Sequence, residues 1–331
     1  MIAQIDKEYL RVRPSKIWNR LISYGLFEGR PITTKGQWIN PLVFRNFKFW
    51  QNMPQMKDVK SPIFIIGTGR SGTTMLGILF SIHKSVSYLN EPKALWHEIY
   101  SKEDIIGSYS NGEAFYCLGV DLITKKIKNK AKKIYGAYLA ITGGNRVVDK
   151  YPELIFRIPF VKEIFPDARF LFITRNGEDT LQSTENWSKR LGTTEDNEIH
   201  DWWGVNGRKW KLLCEQLIPK SRYLKNHQVE ISQFQDHKDR ATVEWILTME
   251  QGVKMTEEFS ESIFQFKYEH VLDDPAVILN EILDFTDLRY DSKMIEYAER
   301  VIGEPTSKRT VEIHPILKSS FNELMKKLSY A

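Results

Sequence analysis

An apolar strand that runs into a glycine-rich turn and then into a helix is the feature that most constrains the fold of this 331-residue chain. The segment Ser61–Gly67 is apolar and strand-length, and Thr73–Ile82 has the apolar periodicity of a helix. Gly69 and Gly72 allow a tight turn between them. Such a turn directs several backbone N–H groups toward one point, and the helix N-terminus adds about half a positive charge. The sequence therefore predicts an anion-binding loop at this turn.

Strands and helices alternate along the chain from residue 61 onward. Strands are predicted at Ser61–Gly67, Val86–Leu89, Arg146–Asp149, Arg169–Thr174 and Ile263–Tyr268. Helices are predicted at Thr73–Ile82, Pro152–Phe165, Gly177–Trp187, Pro275–Phe285 and Ser292–Val301. This alternation predicts an α/β fold, a P-loop-like three-layer arrangement with a central parallel sheet of about five strands and helices on both faces. Ligands bind beyond the carboxyl ends of such strands, so we expect one crevice to be formed by the loops at 67–73, 90–93, 149–152 and 174–177.

The composition is that of a globular protein and excludes several other classes. Apolar residues make up 42% and charged residues 27% of the chain, unlike disordered or collagen-like sequences. The two cysteines, Cys117 and Cys214, have no metal-ligand spacing, which argues against a zinc site or a disulfide framework and favours a reducing compartment. No apolar run approaches the roughly 18 residues of a membrane helix, and no signal-peptide core is present. We expect a soluble, cytoplasmic protein without an integral membrane segment.

Basic residues are concentrated in two places. Residues 1–60 contain 11 Lys and Arg against four Asp and Glu, and Lys125–Lys133 contains six lysines. Each segment is either a basic rim that attracts an anionic substrate, nucleic acid or a membrane, or a solvated surface. No RNA- or DNA-binding motif accompanies them, so no nucleic-acid partner is expected. Residues 1–60 are predicted to pack, as a basic aromatic segment, on a single domain formed by residues 61–331.

The segment 188–240 interrupts the α/β pattern and reads as an insertion in this domain. Trp202, Trp203 and Trp210 lie within nine residues there, among glycines and charged residues. Two interpretations remain open, an aromatic lid over an acceptor substrate and ordinary packing of the insertion against the body of the domain. Residues 1–60 and 188–240 are where acceptor specificity is expected to lie.

The cation in the glycine-rich loop distinguishes it from the loop of a nucleoside-triphosphate enzyme. The spacing of Gly67 and Gly72 is that of a Walker A loop, but Thr73 stands where that loop needs lysine. The cation is instead Arg70, two residues before Gly72. Backbone N–H groups, a guanidinium and hydroxyls can together hold an anion. The predicted anion-binding residues are Thr68, Gly69, Arg70, Ser71, Gly72, Thr73 and Thr74.

Residues Arg70–Leu76 resemble the 5′-phosphosulfate loop of the sulfotransferases, Lys/Arg-Ser-Gly-Thr-Thr-x-Leu. Arg in place of Lys at the first position resembles the bacterial branch and the Golgi tyrosylprotein and carbohydrate branches of that family. A second family motif, which binds a 3′-phosphate, is a strand ending in Arg with a Ser eight residues later. Arg175 and Ser183 match it. A guanidinium can grip a phosphate with two hydrogen bonds, and a hydroxyl two helical turns later can reach the same group. The resemblance implies 3′-phosphoadenosine 5′-phosphosulfate (PAPS) as sulfuryl donor, 3′,5′-ADP as product, and no metal.

Looser matches extend the resemblance over residues 61–285. Lys267–Pro275 is similar to a family motif that ends a strand and opens a helix, and Asp149–Pro152 is similar to the family's Asp-Lys-x-Pro turn. Family members also close a C-terminal loop over the nucleotide, which implies nucleotide contacts for Ser307 and Lys308. Trp187 and Trp245 are candidates to stack on the adenine, although both also suit a core.

Three residues are predicted to carry the chemistry. Sulfuryl transfer is an in-line displacement that is catalysed mostly by positioning and charge stabilisation. Arg70 and, as the resemblance implies, Lys150 would stabilise the transferring group and the leaving phosphate. Glu91 follows the second strand, at a distance from Arg70 similar to that of the tyrosylprotein branch's catalytic Glu, and is the predicted general base. That role requires desolvation to raise the pKa of the Glu91 carboxyl toward the working pH.

Other assignments stay open. His97 is the second candidate for the base, because the small-phenol branch uses His, but a half-buried structural role suits its helix better. His83 is expected to pack in the core. A P-loop nucleotide kinase or NTPase would need lysine after Gly72 and magnesium, whereas a non-catalytic nucleotide or anion binder would lose nothing when Glu91 becomes Gln. A carbohydrate, a tyrosine, a lipid headgroup and a small metabolite all fit as the acceptor.

Overall fold

Five parallel strands form the centre of the protein. A computed structural model describes residues 3–32, 34–195, 198–303 and 311–330 of the chain. The strands of the central sheet are β1 (Ile63–Gly67), β2 (Val86–Asn90), β3 (Arg146–Lys150), β4 (Arg169–Thr174) and β8 (Ile263–Lys267). Their order is β2-β3-β1-β4-β8 and every neighbouring pair is parallel. The predicted α/β fold with a five-stranded parallel sheet is confirmed, and each predicted strand differs from the observed one by at most two residues at either end.

The carboxyl ends of these strands lie side by side at one edge of the sheet. Asn90 at the end of β2 pairs with Lys150 at the end of β3, and Gly67 at the end of β1 pairs with Ile173 of β4. From the central β1 the chain forms β2 and β3 on one side, and then β4 and β8 on the other. In open parallel sheets this reversal opens a crevice beyond the strand ends.

Both faces of the sheet are buried, as a parallel sheet requires. Along β1, Phe64 and Ile66 point into one apolar cluster, whereas Ile63 and Ile65 point into a second cluster on the opposite face. All four side chains are fully buried. Each contributes roughly 1.5–3 kcal/mol of hydrophobic stabilisation, so the loop that follows β1 begins from a rigid strand.

Helices cover both faces and connect the strands. The helices before β3 are α1 (Lys7–Val12), α2 (Ile17–Ile22), α3 (Asn40–Asn52), α4 (Thr73–Ile82), α5 (Lys93–Ile99) and α6 (Lys125–Thr142). Those between β3 and β8 are α7 (Ile158–Ile164), α8 (Gly177–Leu191), α9 (Arg208–Gln216), α10 (Gln228–Ser232) and α11 (His237–Glu258). Those after β8 are α12 (Tyr268–Asp273), α13 (Pro275–Phe285), α14 (Ser292–Val301) and α15 (Pro315–Lys327). None of these helices, in the part of the chain that is described, is long and apolar enough to cross a bilayer.

A small antiparallel sheet lies within the segment 188–240. Its strands, in the order β5-β6-β7, are β5 (Thr193–Glu195), β6 (Glu198–Asp201) and β7 (Gly204–Val205). The backbone N–H of Val205 donates to the carbonyl oxygen of Ile106 at 3.0 Å, and Trp203 is fully buried. The segment is thereby attached to the body of the protein.

The N-terminal segment packs on the main apolar cluster and reaches the sheet edge. Phe27, Val43 and Phe47 are fully buried members of that cluster. Arg20 Nη1 lies 2.6 Å from Glu28 Oε1, and both side chains are nearly inaccessible to solvent. The same Glu28 oxygen accepts a hydrogen bond from the backbone N–H of Asn90 at 2.8 Å. This buried ion pair therefore fixes the segment at the carboxyl end of β2.

One predicted helix is wrong in its extent. The sequence pattern predicts a single helix over Pro152–Phe165, but the chain forms a 3₁₀ helix over Pro152–Arg157 before α7 begins at Ile158. Pro159 lacks a backbone N–H and is tolerated only in the first turn of an α-helix. It therefore marks the start of a new helix. The helix predicted to end at Trp187 continues, as α8, to Leu191.

Candidate active site

Two glycines let the loop after β1 pack closely against other elements. Gly72 has φ of 91°, and a Cβ there would lie 2.2 Å from the Tyr268 ring at the start of α12. A Cβ on Gly69 would lie 2.4 Å from Cη2 of Trp202. The backbone N–H of Leu76 donates to the carbonyl oxygen of Gly72 at 3.0 Å, so α4 starts directly at this turn. The loop is thus held between Trp202 and Tyr268 with helix N–H groups at its end.

Arg70 and Glu91 both have backbone conformations that residues other than glycine rarely adopt. Their φ angles are 71° and 45°, in the left-handed region. Such a conformation costs on the order of 1–3 kcal/mol for a residue other than glycine and is concentrated at functional sites. Glu91 directly follows the carboxyl end of β2, and Arg70 lies three residues after the carboxyl end of β1.

The two sequence motifs predicted to bind phosphate groups meet at Arg70. Its Nε donates to Ser183 Oγ on α8 at 3.0 Å. Arg175, at the end of β4, donates from Nη1 to the Arg70 carbonyl oxygen at 3.0 Å. The Arg175 guanidinium also lies 4.7 Å from the centroid of the Tyr268 ring. Residues more than 100 positions apart in the sequence are thereby brought into one cationic cluster.

Two buried polar atoms in this cluster lack a hydrogen-bond partner among the described residues. They are Thr68 Oγ1 and Arg175 Nε. A buried polar group without a partner costs roughly 1–3 kcal/mol, so these atoms suit an anionic ligand. Ser71 differs from both, because its hydroxyl donates to the Thr68 carbonyl oxygen at 2.6 Å. Its side chain is buried and shapes the turn from within.

The predicted base, Glu91, is tightly paired with the predicted cation Lys150. Lys150 Nζ lies 2.5 Å from Glu91 Oε1, and Lys93 Nζ lies 3.6 Å from Glu91 Oε2. Burial opposes ionisation of Glu91, but the two ammonium groups outweigh it and lower the pKa of its carboxyl to about 2. The raised pKa that the base role was predicted to require is therefore not found, because the attraction of the neighbouring lysines exceeds the effect of desolvation.

Asp149, the residue before Lys150, has a positioning role in the structure. It is fully buried, and its Oδ2 accepts hydrogen bonds from Trp96 Nε1 at 2.9 Å and from the Tyr135 hydroxyl at 2.5 Å. Burial raises the pKa of this carboxyl to about 7, although the two donors lower it. The carboxyl anchors the end of β3 and so fixes the backbone from which the Lys150 side chain extends.

A second group of paired charges, absent from the sequence-based prediction, lies beside Glu91. Lys209 Nζ lies 2.5 Å from Glu244 Oε1 and 3.8 Å from Glu153 Oε1, and Lys93 Nζ lies 3.7 Å from the same Glu153 oxygen. Trp202 Nε1 donates to Glu244 Oε2 at 2.7 Å. Lys209 and Glu244 are almost fully buried. The only sequence signal for them is that Lys209 lies within the Trp-rich segment.

These residues surround a cavity of about 620 Å³. The sequence-predicted residues that line it are Thr68, Gly69, Arg70, Thr73, Thr74, Glu91 and Lys150. The N-terminal segment contributes Tyr24, Arg30, Thr34 and Lys35, and Trp187 and Trp202 form an aromatic wall with ring centroids 5.2 Å apart. Of the loops expected to converge, three line the cavity, and the fourth reaches it through the hydrogen bond from Arg175 to Arg70.

Several other predicted residues lie elsewhere. His97 is half-buried against Phe44 and Tyr109 in a separate surface depression, and burial lowers the pKa of its imidazole. His83 is fully buried, and its Nε2 lies 2.9 Å from the Arg289 carbonyl oxygen. Trp203, Trp210 and Trp245 are core residues. Ser307 and Lys308 fall outside the residues that the structure describes.

The basic run Lys125–Lys133 forms the first half of α6 and does not line the cavity. Lys128 pairs with Glu163, and Lys130 Nζ donates to the Glu98 carbonyl oxygen at 2.5 Å. Lys133 Nζ donates to the Gln51 carbonyl oxygen at 3.1 Å. These three lysines are thus bonded to neighbouring elements of the protein.

The arrangement of the site agrees with a match to a known protein family. The model of the sulfotransferase family matches residues 62–229, slightly more than half of the chain. The chain belongs to the sulfotransferase family. The residues that the family model matches contain the loop after β1, Glu91, Lys150, Arg175 and Ser183.

Individual relatives are distant. A protein-tyrosine sulfotransferase of Drosophila melanogaster is 28% identical over 124 residues, which are 37% of this chain and 24% of that protein. The chain thus spans about a quarter of that relative's length. Sulfotransferase STF9 from Mycobacterium avium is 13% identical, with a TM-score of 0.52 over 97% of this chain and 90% of that one. The sulfotransferase domain of the Synechococcus PCC 7002 olefin synthase is 14% identical, with a TM-score of 0.48 over 84% and 98%. The STF9 match establishes the shared fold.

Proposed function

We propose that this sulfotransferase moves a sulfuryl group from PAPS to a hydroxyl or amine of an acceptor. The donor supplies an activated sulfuryl group and leaves as 3′,5′-ADP. A bond forms between the acceptor atom and sulfur while the bond from sulfur to the leaving phosphate oxygen breaks. Glu91 takes the acceptor's proton, and Arg70 and Lys150 donate hydrogen bonds to the oxygens on which negative charge develops.

The observation that carries the proposal is the cluster of Arg70, Arg175 and Ser183. A donor with phosphate groups at both ends of its ribose needs two separate anion sites. The loop Thr68–Thr74 offers backbone N–H groups and hydroxyls for the 5′-phosphosulfate. Arg175 and Ser183 are proposed to hold the 3′-phosphate, and the unpartnered Nε of Arg175 supports this.

The ion pair between Glu91 and Lys150 gives both residues a role in one step. In the structure Lys150 holds Glu91 ionised, which leaves it ready to accept a proton but weakens it as a base. We propose that Lys150 turns toward the leaving phosphate oxygen as charge develops there. Glu91 then loses part of its electrostatic stabilisation and becomes a stronger base while the acceptor loses its proton.

The acceptor side of the cavity is proposed to be formed by residues 1–60 and 188–240, packed on the domain of residues 61–331. Trp187 and Trp202 provide flat apolar surfaces beside the loop, and Tyr24 lines the cavity from the N-terminal segment. Aromatic side chains pack well against the faces of sugars and planar rings. A ring-bearing hydroxyl, either a phenol such as tyrosine or a carbohydrate, is therefore the acceptor class that these walls favour.

Calorimetric binding of 3′,5′-ADP without magnesium tests the donor assignment. We expect wild type to bind 3′,5′-ADP and Arg175→Ala to lose most of this affinity. Arg169→Ala is the matched control, because Arg169 lies at the opposite end of β4. If ATP with magnesium binds while 3′,5′-ADP does not, the proposal is wrong and a nucleotide kinase takes its place.

A further inference from the structure

The N-terminal segment exposes an unusual amount of large apolar surface. Among the described residues, 12 large apolar side chains are strongly exposed, and seven of them lie between residues 10 and 56. Two are the tryptophans Trp18 and Trp38, which are 73% and 83% exposed. Scattered exposed apolar side chains are ordinary, but a concentration of them marks an interaction surface.

Four of these side chains follow helical spacing across α3, the turn before it and the residue that follows its end. Trp38, Leu42, Phe49 and Met53 follow one another at intervals of four, seven and four residues, which places them on one stripe of a helix. The opposite side of α3 carries Val43 and Phe47, which are fully buried in the core. The helix therefore has one apolar face that the fold covers and a second apolar face that it leaves open.

Basic residues flank this open face. Arg45 and Lys48 are exposed on α3 beside the stripe, and neither forms an ion pair with an acidic residue in the described ranges. Lys35, three residues before Trp38, is also exposed. We call Trp38, Leu42, Phe49 and Met53, together with Arg45 and Lys48, the α3 surface.

We propose that the α3 surface binds the face of an anionic lipid bilayer. Tryptophan and phenylalanine are favoured at the boundary between headgroups and acyl chains, and flanking Lys and Arg attract anionic lipids. A second copy of this chain fits less well as the occupant. Two-fold contact would bring each copy's Arg45 and Lys48 toward the same cations of its neighbour, with no carboxylate on the α3 surface to pair with them.

In the amino-acid sequence, the α3 surface directly follows residues that line the proposed active site. Thr34 and Lys35, which line the cavity, immediately precede the turn that carries Trp38. Binding through α3 would therefore bring the acceptor side of the cavity close to the bilayer, where an amphiphilic acceptor could enter. This last consequence rests on the proposed function, whereas lipid binding itself does not.

Flotation of the full chain with lipid vesicles tests the proposal without any nucleotide. We expect the wild type to float with vesicles that contain phosphatidylglycerol and not with vesicles of phosphatidylcholine alone. The double variant Arg45→Gln/Lys48→Gln should lower the partition coefficient roughly 30-fold, since each basic side chain near an anionic surface contributes about 1 kcal/mol. Trp38→Ser/Phe49→Ser should lower it by roughly tenfold or more.

Matched variants separate the α3 surface from general effects. Tyr290→Ser removes an aromatic side chain that is 60% exposed outside the α3 surface. Lys211→Gln/Lys225→Gln removes two exposed charges that belong to α9 and to the short 3₁₀ helix Lys225–His227. Both variants should float like wild type. The proposal is overturned if wild type does not float, or if the α3 variants float as well as these controls. It is also overturned if light scattering shows a dimer that Trp38→Ser/Phe49→Ser dissociates. Binding of 3′,5′-ADP is measured on the same preparations. Failure of lipid binding with normal 3′,5′-ADP binding then contradicts this proposal alone and leaves the proposed function intact.

Discussion

Glu91 and Lys150, at the ends of the neighbouring strands β2 and β3, form an ion pair of 2.5 Å in which Lys150 is almost fully buried and Glu91 remains 35% exposed. The proposed base is therefore accessible from the cavity, while the cation that lowers the pKa of its carboxyl is shielded from water. Because Asp149 anchors the backbone beside Lys150, the position of this cation is well defined.

Removal of the Lys150 charge should raise the pKa of Glu91. In wild type the carboxyl, with its pKa lowered to about 2, is ionised at every pH above about 4, so it should contribute no acid limb to kcat/KM there. In Lys150→Met, burial acts against the weaker attraction of Lys93 and Lys209, so the pKa of Glu91 should rise and bring an acid limb of kcat/KM into the measurable range. Carbon-detected NMR titration of the Glu91 carboxyl checks this without an acceptor. Equal Glu91 pKa values in the two proteins would refute the proposed coupling.

Replacement of Glu91 by Gln should separate catalysis from donor binding. We expect transfer to fall by roughly 10²–10⁴-fold, the usual contribution of a general base. Affinity for 3′,5′-ADP should change little, because Glu91 is assigned to the acceptor's proton. Glu113→Gln, which alters an exposed carboxylate, serves as the control. Unchanged transfer in Glu91→Gln would mean that another group, or none, acts as base.

Close contact between Gly69 and Trp202 predicts a steric coupling across the cavity. A methyl group on Gly69 would overlap the Trp202 ring, so Gly69→Ala should destabilise the protein by roughly 1–3 kcal/mol. In a Trp202→Ala background the same substitution should cost much less. Gly25→Ala is a control, because nothing lies within 4 Å of its added Cβ. Urea unfolding of the four proteins in the cycle measures the coupling, and additive effects would show that the loop and the Trp wall are independent.

Asp149 should make stability fall as the pH rises toward neutrality. Its folded-state pKa is raised to about 7, above the roughly 3.9 of an unfolded Asp, so the folded protein keeps a proton that the unfolded chain releases. The stabilisation from this proton is complete below about pH 4 and is lost as the pH rises through about 7. The free energy of unfolding of Asp149→Asn should therefore depend less on pH over this window. Parallel curves for the two proteins would contradict the raised pKa.

The local sequence pattern was enough to predict the central sheet and the glycine-rich loop. The strand, turn and helix from Ile63 to Ile82 are contiguous, so apolar periodicity and glycine spacing were enough to predict them. Arg175 and Ser183 were instead identified through the resemblance to the family's 3′-phosphate motif, which spans one strand and the helix after it. Their meeting with Arg70 follows from the order of the strands, because β1 and β4 are neighbours.

Contacts between distant segments could not be predicted in this way. Lys93, Glu153, Lys209 and Glu244 belong to four different elements, and nothing in their local sequence shows that they pair. The lowered pKa of Glu91 depends on such contacts, which is why desolvation alone gave the wrong direction. Residues 1–60 were expected to carry acceptor specificity, but which of their side chains reach the cavity depends on how that segment packs on the sheet and could not be predicted.

The central claim, that Arg175 recognises the 3′-phosphate of a PAPS-type nucleotide, is tested most directly by comparing the affinities of 3′,5′-ADP and 5′-AMP. Charge-assisted hydrogen bonds contribute roughly 1.5–3 kcal/mol, so wild type should bind 3′,5′-ADP about 10- to 150-fold more tightly than 5′-AMP. In Arg175→Ala this ratio should approach one, whereas Arg169→Ala should keep the wild-type ratio. A wild type that binds both nucleotides equally, or an Arg175→Ala variant that keeps the full preference, would contradict the assignment.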